Sequence, residues 1–299
     1  MPACQIRRRA LLAIIAAVSC SAFSPSRAIG ASGQEPHRIL SCNIRVPLEA
    51  DAAEGNGWEH RRDLCADVIA AHRGDVICLQ ECWLEQLTYL KDRLPEYDSY
   101  GLSNPGAEFT PINAIMYSRD RYELISAGGF WLSETPHVAG SKSWDSKGVR
   151  FTNWVHLRER DTGRELRVWN AHLDHVGQVA REEQARRLAE GMAAMDESGV
   201  PQILVGDMNA YEGHPAIAVL KAAGLHDTYE AMHGPGDPGF TYHGFLGKER
   251  KMKGRGRKID WIFTRGEIET RAADIIRDGR DGRYPSDHYF ISADIVLPE

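Results

Sequence analysis

The sequence predicts an α/β fold (α+β in its finer class), in which short apolar strands alternate with amphipathic helices in one domain. Two observations favour this class. The spacing of apolar residues switches repeatedly between the strand and the helix pattern, and no segment rich in proline, serine or glycine divides the chain after residue 28. The length of 299 residues, with 42% hydrophobic and 26% charged residues, is ordinary for a globular enzyme. We therefore expect a single domain over residues 29–299.

The elements of the first part of the domain follow from local patterns. Arg38–Arg45 is an apolar run that ends in a polar turn, which is typical of a strand. A helix is expected at His60–His72, where Leu64, Val68 and Ile69 recur at helical spacing. A buried strand and a second helix come next, at Asp75–Gln80 and Glu85–Leu94.

The second part of the domain is predicted to contain mostly strands and one long helix. A turn at Asp161-Thr162-Gly163 separates two of the strands. Arg181–Met195 has the charged, amphipathic pattern of a long helix. The strands are expected at Asn113–Tyr117, Phe130–Leu132, Arg150–Arg158, Arg164–His172, Gln202–Val205, Arg257–Thr264 and His288–Val296.

The first 28 residues have the pattern of a secretory signal peptide. Arg7, Arg8 and Arg9 precede the short apolar stretch Ala10–Val18, and small residues lead to a small-x-small site that ends at Ala28. The stretch lacks the polar face of an amphipathic helix, and it is too short to span a membrane, which takes about 20 residues. We therefore expect a periplasmic or secreted protein without a membrane span.

Two details of this segment bear on export and charge. Arg8 and Arg9 before Leu11 are similar to a twin-arginine signal. Lipid attachment at Cys20 is an alternative, although Ala17 is a poor first residue for that motif. Cleavage after residue 28 would remove four arginines and no acid, which changes the net charge from −6 to −10. Neither value gives the basic excess of a DNA-packaging protein.

Four cysteines remain after such cleavage: Cys42, Cys65, Cys78 and Cys82. An even number in an oxidising compartment permits disulfides, with three possible connectivities. None has the CxxC spacing of a zinc site, and Cys42 and Cys78 lie in apolar strand-like runs. Buried free thiols that act as small hydrophobic residues are therefore the favoured interpretation.

Polar side chains occur repeatedly where apolar strands end. An isolated group of this kind is most often a turn or a strand cap, but strand ends that share one edge of a sheet bring such groups together. Carboxylates, amides and histidines in one cluster suit a hard metal ion and a phosphate ester. The groups are Ser41-Cys42-Asn43, Leu79-Gln80-Glu81, Asn170-Ala171-His172-Leu173-Asp174-His175, Gly206-Asp207-Met208-Asn209 and Ser286-Asp287-His288.

These motifs resemble those of the endonuclease/exonuclease/phosphatase superfamily, which includes pancreatic DNase, abasic-site endonucleases, mRNA deadenylases, bacterial sphingomyelinases and inositol-phosphate phosphatases. The resemblance spans Ile39 to Ile295, and Lys258-Ile259-Asp260-Trp261-Ile262-Phe263 supports it. It implies a four-layer α/β sandwich, in which two packed mixed β-sheets are flanked by helices. The site is then expected at the edge between the two sheets.

The resemblance and the chemistry of the side chains together suggest the metal ligands. Glu81 is expected to be the principal ligand, because it is a carboxylate at the end of a strand. Asn43 would supply an amide oxygen, and Asp287 would complete or orient the water shell of the metal. Oxygen ligands without thiolates favour Mg²⁺ or Mn²⁺.

The same argument assigns catalytic roles. Asp207 is expected to orient or deprotonate the attacking water, and Asn209 to donate to a non-bridging phosphate oxygen. His288, if Asp260 keeps it protonated, would donate to the phosphorane. His172 resembles the position of a second histidine near the leaving group. For Asn43 and Asp260, the alternative that they only brace strand ends has more weight than for the other residues of the set.

The sequence departs from the family pattern at Arg45, where several nucleases have an acid. This change loses one possible metal ligand and adds a cation that suits a terminal phosphate. The basic run Lys248–Lys258 is expected to be a flexible loop, either solvated or at the edge of the cleft. Three aromatic or histidine side chains in loops before strands could contact the rest of a substrate: Trp144, Tyr242 and His243.

We therefore expect an exported, metal-dependent phosphoesterase that hydrolyses a phosphodiester or a phosphomonoester by in-line attack of an activated water. The substrate is expected to be a phosphorylated small molecule, a lipid headgroup or a nucleic acid. A secreted nuclease acting on DNA or RNA is the first alternative, and a non-catalytic binding module on the same fold is the second. Nothing in the sequence indicates an obligate protein partner, and a monomer is expected.

Overall fold

A computed structural model describes residues 34–102, 111–196, 199–252 and 257–298. The expected signal peptide, Cys20 and the central part of the basic run lie outside the described residues. Within these residues, twelve strands form two six-stranded sheets. The strands are β1 (His37–Asn43), β2 (Val76–Gln80), β3 (Tyr97–Tyr100), β4 (Ile115–Ser118), β5 (Tyr122–Trp131), β6 (Phe151–Glu159), β7 (Glu165–His172), β8 (Gln202–Asp207), β9 (His226–Asp227), β10 (Asp260–Arg265), β11 (Glu269–Ile276) and β12 (Phe290–Val296).

Both sheets are mixed. The strand order is β11-β12-β1-β2-β4-β3 in sheet 1 and β5-β6-β7-β8-β10-β9 in sheet 2. β1 runs parallel to β2, and β7 runs parallel to β8, whereas the other neighbours are antiparallel. Each parallel pair is joined by a helical crossover, as parallel neighbours require. The helices are α1 (Glu49–Ala53), α2 (Trp58–His72), α3 (Leu84–Arg93), α4 (Gln178–Ala194), α5 (Pro215–Ala222), α6 (Thr228–His233) and α7 (Lys248–Met252).

Successive side chains of each central strand point to opposite faces of its sheet, and this alternation produces the layers of the fold. In β1, Ile39 belongs to the core between the two sheets, whereas Leu40 packs with α2 and α3. In β8, Ile203 faces the core between the sheets, whereas Leu204 packs with α4 and α5. Because both sheets bury both faces, helices cover the two outer sides. The expected four-layer sandwich is confirmed.

A pair of buried amides joins the two sheets close to the predicted site. Gln80 Nε2 donates to Asn170 Oδ1 at 2.7 Å. Asn170 Nδ2 in turn donates to the backbone oxygens of Leu79, at 2.9 Å, and Ala114, at 3.0 Å. Buried polar groups are stable only when they are paired in this way. Asn170 is thus a brace between the sheets, and it holds the two strand ends that carry Glu81 and His172.

The cysteines agree with the favoured interpretation. Cys42, Cys65, Cys78 and Cys82 are all buried and free. Burial raises the pKa of the Cys65 thiol to about 12, so this thiol is protonated and unreactive. Among the helices that the structure describes, none has the length and apolar character needed to cross a membrane.

The elements that the sequence did not predict lie mainly at sheet edges. β3, β5 and β11 are edge or near-edge strands with mostly half-buried or exposed side chains, so they lack a clear apolar alternation. The predicted strand Phe130–Leu132 is the end of the longer β5, which has a register shift between Leu124 and Ser126. The short helices α1, α5 and α6 and the two-residue β9 were also not predicted.

Candidate active site

Strand direction brings the predicted groups to one edge of the sandwich. Because β7 and β8 are parallel and β10 is antiparallel to β8, His172, Asp207 and Asp260 are register partners at neighbouring positions. Asn43 and Gln80 are likewise partners at the ends of the parallel β1 and β2. The two sheets thus present their acids, amides and histidines to the same edge.

Glu81 follows β2 directly and lines a cavity at this edge. Its φ of 55° is in the left-handed region, which residues with a side chain rarely adopt and which often marks a functional position. Oε1 accepts a hydrogen bond from Asn43 Nδ2 at 3.2 Å, and Oε2 accepts one from the backbone N–H of Val46 at 3.2 Å. The carboxylate is therefore held in place from both sides.

Asn43 connects two acids through its amide nitrogen. Besides Glu81, Nδ2 donates to Asp207 Oδ2 at 3.0 Å, while Oδ1 accepts from the backbone N–H of Arg45 at 3.1 Å. The amide oxygen, which a cation would need, is directed to the backbone in this arrangement. Metal ligation by Asn43 requires the amide to turn over, and it stays a prediction.

Gly206 sets the position of Asp207. Its φ is 150°, and a Cβ at this residue would lie 1.9 Å from the backbone oxygen of Ala171 on β7. No side chain fits such a distance, so glycine is required for β7 and β8 to approach this closely.

Asp207 is buried among other acids. Oδ1 accepts the backbone N–H of Asn209 at 2.8 Å, and Oδ2 lies 3.5 Å from His172 Nε2. Burial, followed by the negative charge of Asp260, raises the pKa of Asp207 to about 7, although the charge of His288 opposes the shift. A carboxylate with this pKa is suited to take a proton from water near neutral pH.

His288 and Asp260 form a buried pair. Nδ1 of His288 and Oδ2 of Asp260 are 2.9 Å apart, and Nε2 of His288 lies 3.9 Å from Asp207 Oδ2. Burial disfavours the charged ring, but the charge and hydrogen bond of Asp260 outweigh it and raise the pKa of His288 well above its usual value. His288 is thus a charged donor whose Nε2 lies on the side of Asp207.

In contrast to the charged His288, His172 is neutral. Burial, assisted by the positive charge of Arg150, lowers its pKa well below the usual value. Its Nε2 lies 2.9 Å from Asn209 Nδ2, which also donates to the backbone oxygen of Leu173 at 3.0 Å. Both amide protons of Asn209 are therefore used, and its predicted donation to a phosphate oxygen requires the release of one of them.

Arg45 and Asp287 form the remaining side of the site. Arg45 is held by Asp51, with Nε–Oδ2 at 2.8 Å and Nη2–Oδ1 at 3.3 Å. Its Nη1 lies 3.5 Å from Asp287 Oδ2 and 4.0 Å from Glu81 Oε2. Burial raises the pKa of Asp287. The guanidinium of Arg45 thus already neutralises acids, and phosphate binding by this residue stays a prediction.

The cavity at this edge has a volume of about 640 Å³. Most of the predicted residues line it: Arg45, Glu81, His172, Asp207, Asn209, Asp287 and His288. Asn43 and Asp260 lie behind this wall and act through the residues they hold. The structure therefore brings all nine predicted residues into one cluster.

Three other polar side chains also line the cavity: Arg150, His175 and Tyr242. Arg150 is the main omission from the sequence prediction. It precedes β6, which is antiparallel to β7, so the beginning of β6 lies at the same edge as the end of β7. The prediction considered chiefly polar residues after strands, and the antiparallel pairing across the Asp161–Gly163 turn was the signal that could have located Arg150.

Of the loop residues considered from the sequence, Tyr242 lines the cavity with its ring 5.0 Å from that of His288. His243 is buried behind it, and its backbone N–H donates to the oxygen of Asp287 at 2.9 Å. Trp144 is not among the described residues that line the cavity.

The prediction of a flexible loop over Lys248–Lys258 is wrong at both described ends. Residues Lys248–Met252 form α7, and Lys258 is buried in an ion pair with Asp227, with its ammonium 3.8 Å from the ring centroid of Trp261. A buried, paired lysine is part of the structure and not a solvated surface charge.

The donor set fits a hard divalent cation. Carboxylate or imidazole atoms of Glu81, His172 and Asp207 lie within 4.8 Å of one another, and Asp207, Asp260 and His288 form a second such group. Burial is the main cause of the raised pKa values of Asp207 and Asp287, and the negative charge of Glu81 adds to it at both residues. A cation beside Glu81 would compensate this charge.

Comparison with known proteins identifies the family. A bacterial structure, the Bacteroides thetaiotaomicron mannosyl-6-phosphatase, is 31% identical, with 87% of this chain and 100% of that chain covered and a TM-score of 0.78. Nocturnin of Drosophila melanogaster is 25% identical over 85% of this chain, and the Coccidioides immitis CCR4-Not 3'-5'-exoribonuclease subunit Ccr4 is 27% identical over 39%. The chain spans only 44% and 18% of these two proteins. The model of the Endonuclease/Exonuclease/phosphatase family matches residues 40–288, so the chain belongs to this family.

Proposed function

We propose that the protein is a divalent-metal-dependent phosphoesterase that hydrolyses a phosphodiester or a phosphomonoester with an activated water. The observation that carries this proposal is the position of the Asp207 carboxylate in the cavity wall, with Nε2 of the Asp260-paired His288 3.9 Å from its Oδ2. The family supports phosphoester chemistry. The mannosyl-6-phosphatase among the similar structures supports a phosphomonoester as one candidate substrate.

The residues of the chain divide the proton transfers between them. Asp207, as the carboxylate, accepts a proton from the attacking water, and Asn43 keeps its second oxygen in place. His288 donates from Nε2 to the phosphoryl group as negative charge develops there, while Asp260 on Nδ1 keeps the ring charged. His172 stays neutral and orients Asn209.

Mg²⁺ or Mn²⁺ would be held by Glu81, with Asp287 and the amide of Asn43 as further oxygen donors. When bound, the cation supplies charge stabilisation to the phosphoryl oxygens and the leaving group. We further propose that the protein acts outside the cytoplasm, on the basis of the expected signal peptide.

The test is a substrate panel with the purified protein from residue 29 onward. The panel contains p-nitrophenyl phosphate, bis-p-nitrophenyl phosphate, sugar phosphates, single-stranded RNA and DNA, and plasmid DNA. We expect turnover that EDTA abolishes and that Mg²⁺ or Mn²⁺ restores. Full activity in excess EDTA would refute metal dependence. Cleavage of nucleic acids alone would favour the nuclease alternative, and no turnover on any phosphoester would favour a binding module.

A further inference from the structure

Arg150 is a cation in the wall of the cavity to which the reaction above assigns no role. Its side chain is only 13% exposed, and it lies close enough to Glu81, Asp207 and His172 to affect their charge balance. A guanidinium remains protonated at every physiological pH, so it contributes a permanent positive charge to the cavity.

The hydrogen-bonding capacity of Arg150 is largely unused. Nη2 lies 3.0 Å from His175 Nδ1, and Nε lies 3.6 Å from Asp174 Oδ2, which is too long for a hydrogen bond. Nε has no hydrogen-bond partner, and Nη1 makes no hydrogen bond to any residue that the structure describes. A guanidinium has five N–H groups, and those on Nη1 together with the second one on Nη2 are not used by any described residue.

Asp174 does not saturate Arg150, because its carboxylate is already used elsewhere. Oδ1 accepts the backbone N–H groups of Val176, at 2.9 Å, and Gly177, at 2.7 Å. Oδ2 accepts the backbone N–H groups of Lys147 and Gly148 and the hydroxyl of Ser146, at 3.0, 3.1 and 3.1 Å. Asp174 therefore organises the loops on either side of it.

Arg45, the other arginine of the cavity, provides the contrast. It has a carboxylate of its own, since Asp51 accepts two of its hydrogen bonds, and Asp287 lies 3.5 Å away. A largely buried cation that is only loosely paired is stabilised further when a ligand places negative charge beside it. Of the two arginines, Arg150 has the weaker ion pair, with Nε 3.6 Å from Asp174 Oδ2.

Phosphate oxygens are the best complement to a free guanidinium edge, because two parallel N–H groups match two oxygens. A terminal phosphate carries about −1.5 to −2 charges at neutral pH and has three non-bridging oxygens. An internal diester carries one charge and has only two such oxygens. The third oxygen and the additional charge of a terminal phosphate are what a second cation with free N–H groups would recognise.

We propose that Arg150 binds the terminal phosphate of the substrate and makes the enzyme selective for phosphomonoesters over internal phosphodiesters. This inference rests on the proposed phosphoesterase function, which it deepens. His175 is the positioning residue: its Nδ1 accepts from Nη2 and directs the rest of the guanidinium into the cavity.

Binding is tested first, because it does not depend on turnover. Inorganic phosphate is titrated calorimetrically into the Mg²⁺-loaded protein and into Arg150→Gln. We expect the dissociation constant to rise at least tenfold, which is the effect of losing a charge-assisted hydrogen bond. Arg158→Gln is the matched control, since Arg158 lies at the opposite end of β6 and pairs with Glu165. Equal phosphate affinities of Arg150→Gln and the native protein would overturn the proposal.

Selectivity is tested with one monoester and one diester of the same alcohol, p-nitrophenyl phosphate and bis-p-nitrophenyl phosphate. We expect Arg150→Gln to lower kcat/KM for the monoester at least 30-fold and for the diester less than threefold. Arg150→Lys keeps the charge but lacks the two parallel N–H groups of a guanidinium. Its kcat/KM for the monoester should therefore lie between those of the native protein and Arg150→Gln. Equal losses on both esters would overturn the assigned selectivity. If the native protein hydrolyses no ester of the substrate panel, the proposed function fails, whereas the phosphate titration still decides whether Arg150 binds the anion.

Folding and positioning have their own controls. Circular dichroism and Tm must match the native protein in Arg150→Lys, which retains a cation at this position. His175→Ala should raise KM for the monoester more than it lowers kcat, and His175→Gln, whose amide oxygen accepts a hydrogen bond, should recover most of the loss. Unchanged KM in His175→Ala would remove the positioning role of His175.

Discussion

Glu81 is the residue whose replacement tests the proposed metal site most directly. It is the carboxylate that lies at the cavity between Asn43 and Val46, and we expect Glu81→Gln to lower kcat by roughly 100-fold or more and to raise the Mg²⁺ concentration needed for half-maximal activity. The measurement is activity against Mg²⁺ concentration. Glu85→Gln, an exposed acid in the first turn of α3, is the control. An unchanged metal requirement in Glu81→Gln would assign the metal to other residues.

Asp260 and His288 should behave as one catalytic unit. Because Asp260 keeps His288 charged, removal of either residue eliminates the same charged donor. We expect Asp260→Asn and His288→Ala each to lower kcat by about 10²–10⁴-fold and the double variant to be little worse. A kcat of the double variant equal to the product of the two single losses would show that the residues act independently.

For single residues, the sequence predicted well which residue types form the site. It predicted poorly their protonation states and the directions of their hydrogen bonds. Glu81, Asp207 and His288 were located because each is an unusual polar residue next to an apolar strand. The direction of the Asn43 amide and the neutral state of His172 depend on neighbours from distant parts of the chain. No local pattern carries that information.

Among the elements, the β7–β8 pair depends on one glycine. Gly206→Ala combines an unfavourable φ of 150° with a Cβ that would meet the backbone oxygen of Ala171, and backbone cannot move aside cheaply. We expect a loss of roughly 3 kcal/mol or more in the free energy of unfolding. Gly163→Ala, with φ +73° and open space around its Cβ, is the comparison and should cost about 1–2 kcal/mol. Urea unfolding of both variants measures the difference, and similar losses would remove the steric argument.

An ion network ties the two sheets together at the end away from the site. Arg121 contacts Asp75, just before β2 of sheet 1, at 2.7 Å, and Glu159, at the end of β6 of sheet 2, at 2.8 Å. Burial opposes ionisation of Glu159, but the hydrogen bond from Thr162 and the charges of His37 and Arg121 outweigh it and lower the pKa to about 2. The ionised carboxylate is therefore favoured in the folded state.

The network should make stability depend on pH in a defined direction. Because Glu159 has a lower pKa in the folded than in the unfolded chain, its contribution is complete above about pH 5 and is lost as the pH falls toward 2. We expect Glu159→Gln to reduce the free energy of unfolding by about 2–3 kcal/mol at pH 7 and by less at pH 4. Urea unfolding at both values checks this, with the exposed Glu123→Gln as control. A difference that grows on acidification would contradict it.

How far an element could be predicted depended on its burial. The central β1, β2, β7 and β8 bury both faces and give continuous apolar runs, so the sequence located them and the polar residues that follow them. The edge strands β5 and β11 expose many side chains, so the sequence indicated only the end of β5 and nothing of β11. Arg150 was missed for a related reason, since its place in the site follows from antiparallel pairing and not from its neighbours in sequence.

For the molecule as a whole, the pairing of the first with the last described strand bears on the proposed export. β1 lies in the middle of sheet 1, between β2 and β12, and its register with β12 joins His37 to Ile295. Sheet 1 is therefore incomplete until the end of the chain has been synthesised. A leader that directs folded proteins across a membrane, as a twin-arginine signal does, is compatible with such a topology.

The proposed export leads to a prediction about the leader. We expect the mature protein to begin near Ile29 and to be found outside the cytoplasm, and we expect replacement of both Arg8 and Arg9 by lysine to leave it inside with its leader attached. The paired arginines are read by the receptor of the folded-protein route, which lysines do not satisfy although they preserve the charge. Replacement of Arg7 by lysine is the control, because it changes the n-region without touching the pair. N-terminal sequencing and cell fractionation measure the outcome. Export of the double lysine variant at the native level would assign the leader to the general secretory route, which carries unfolded chains, and sheet 1 would then have to form after transport.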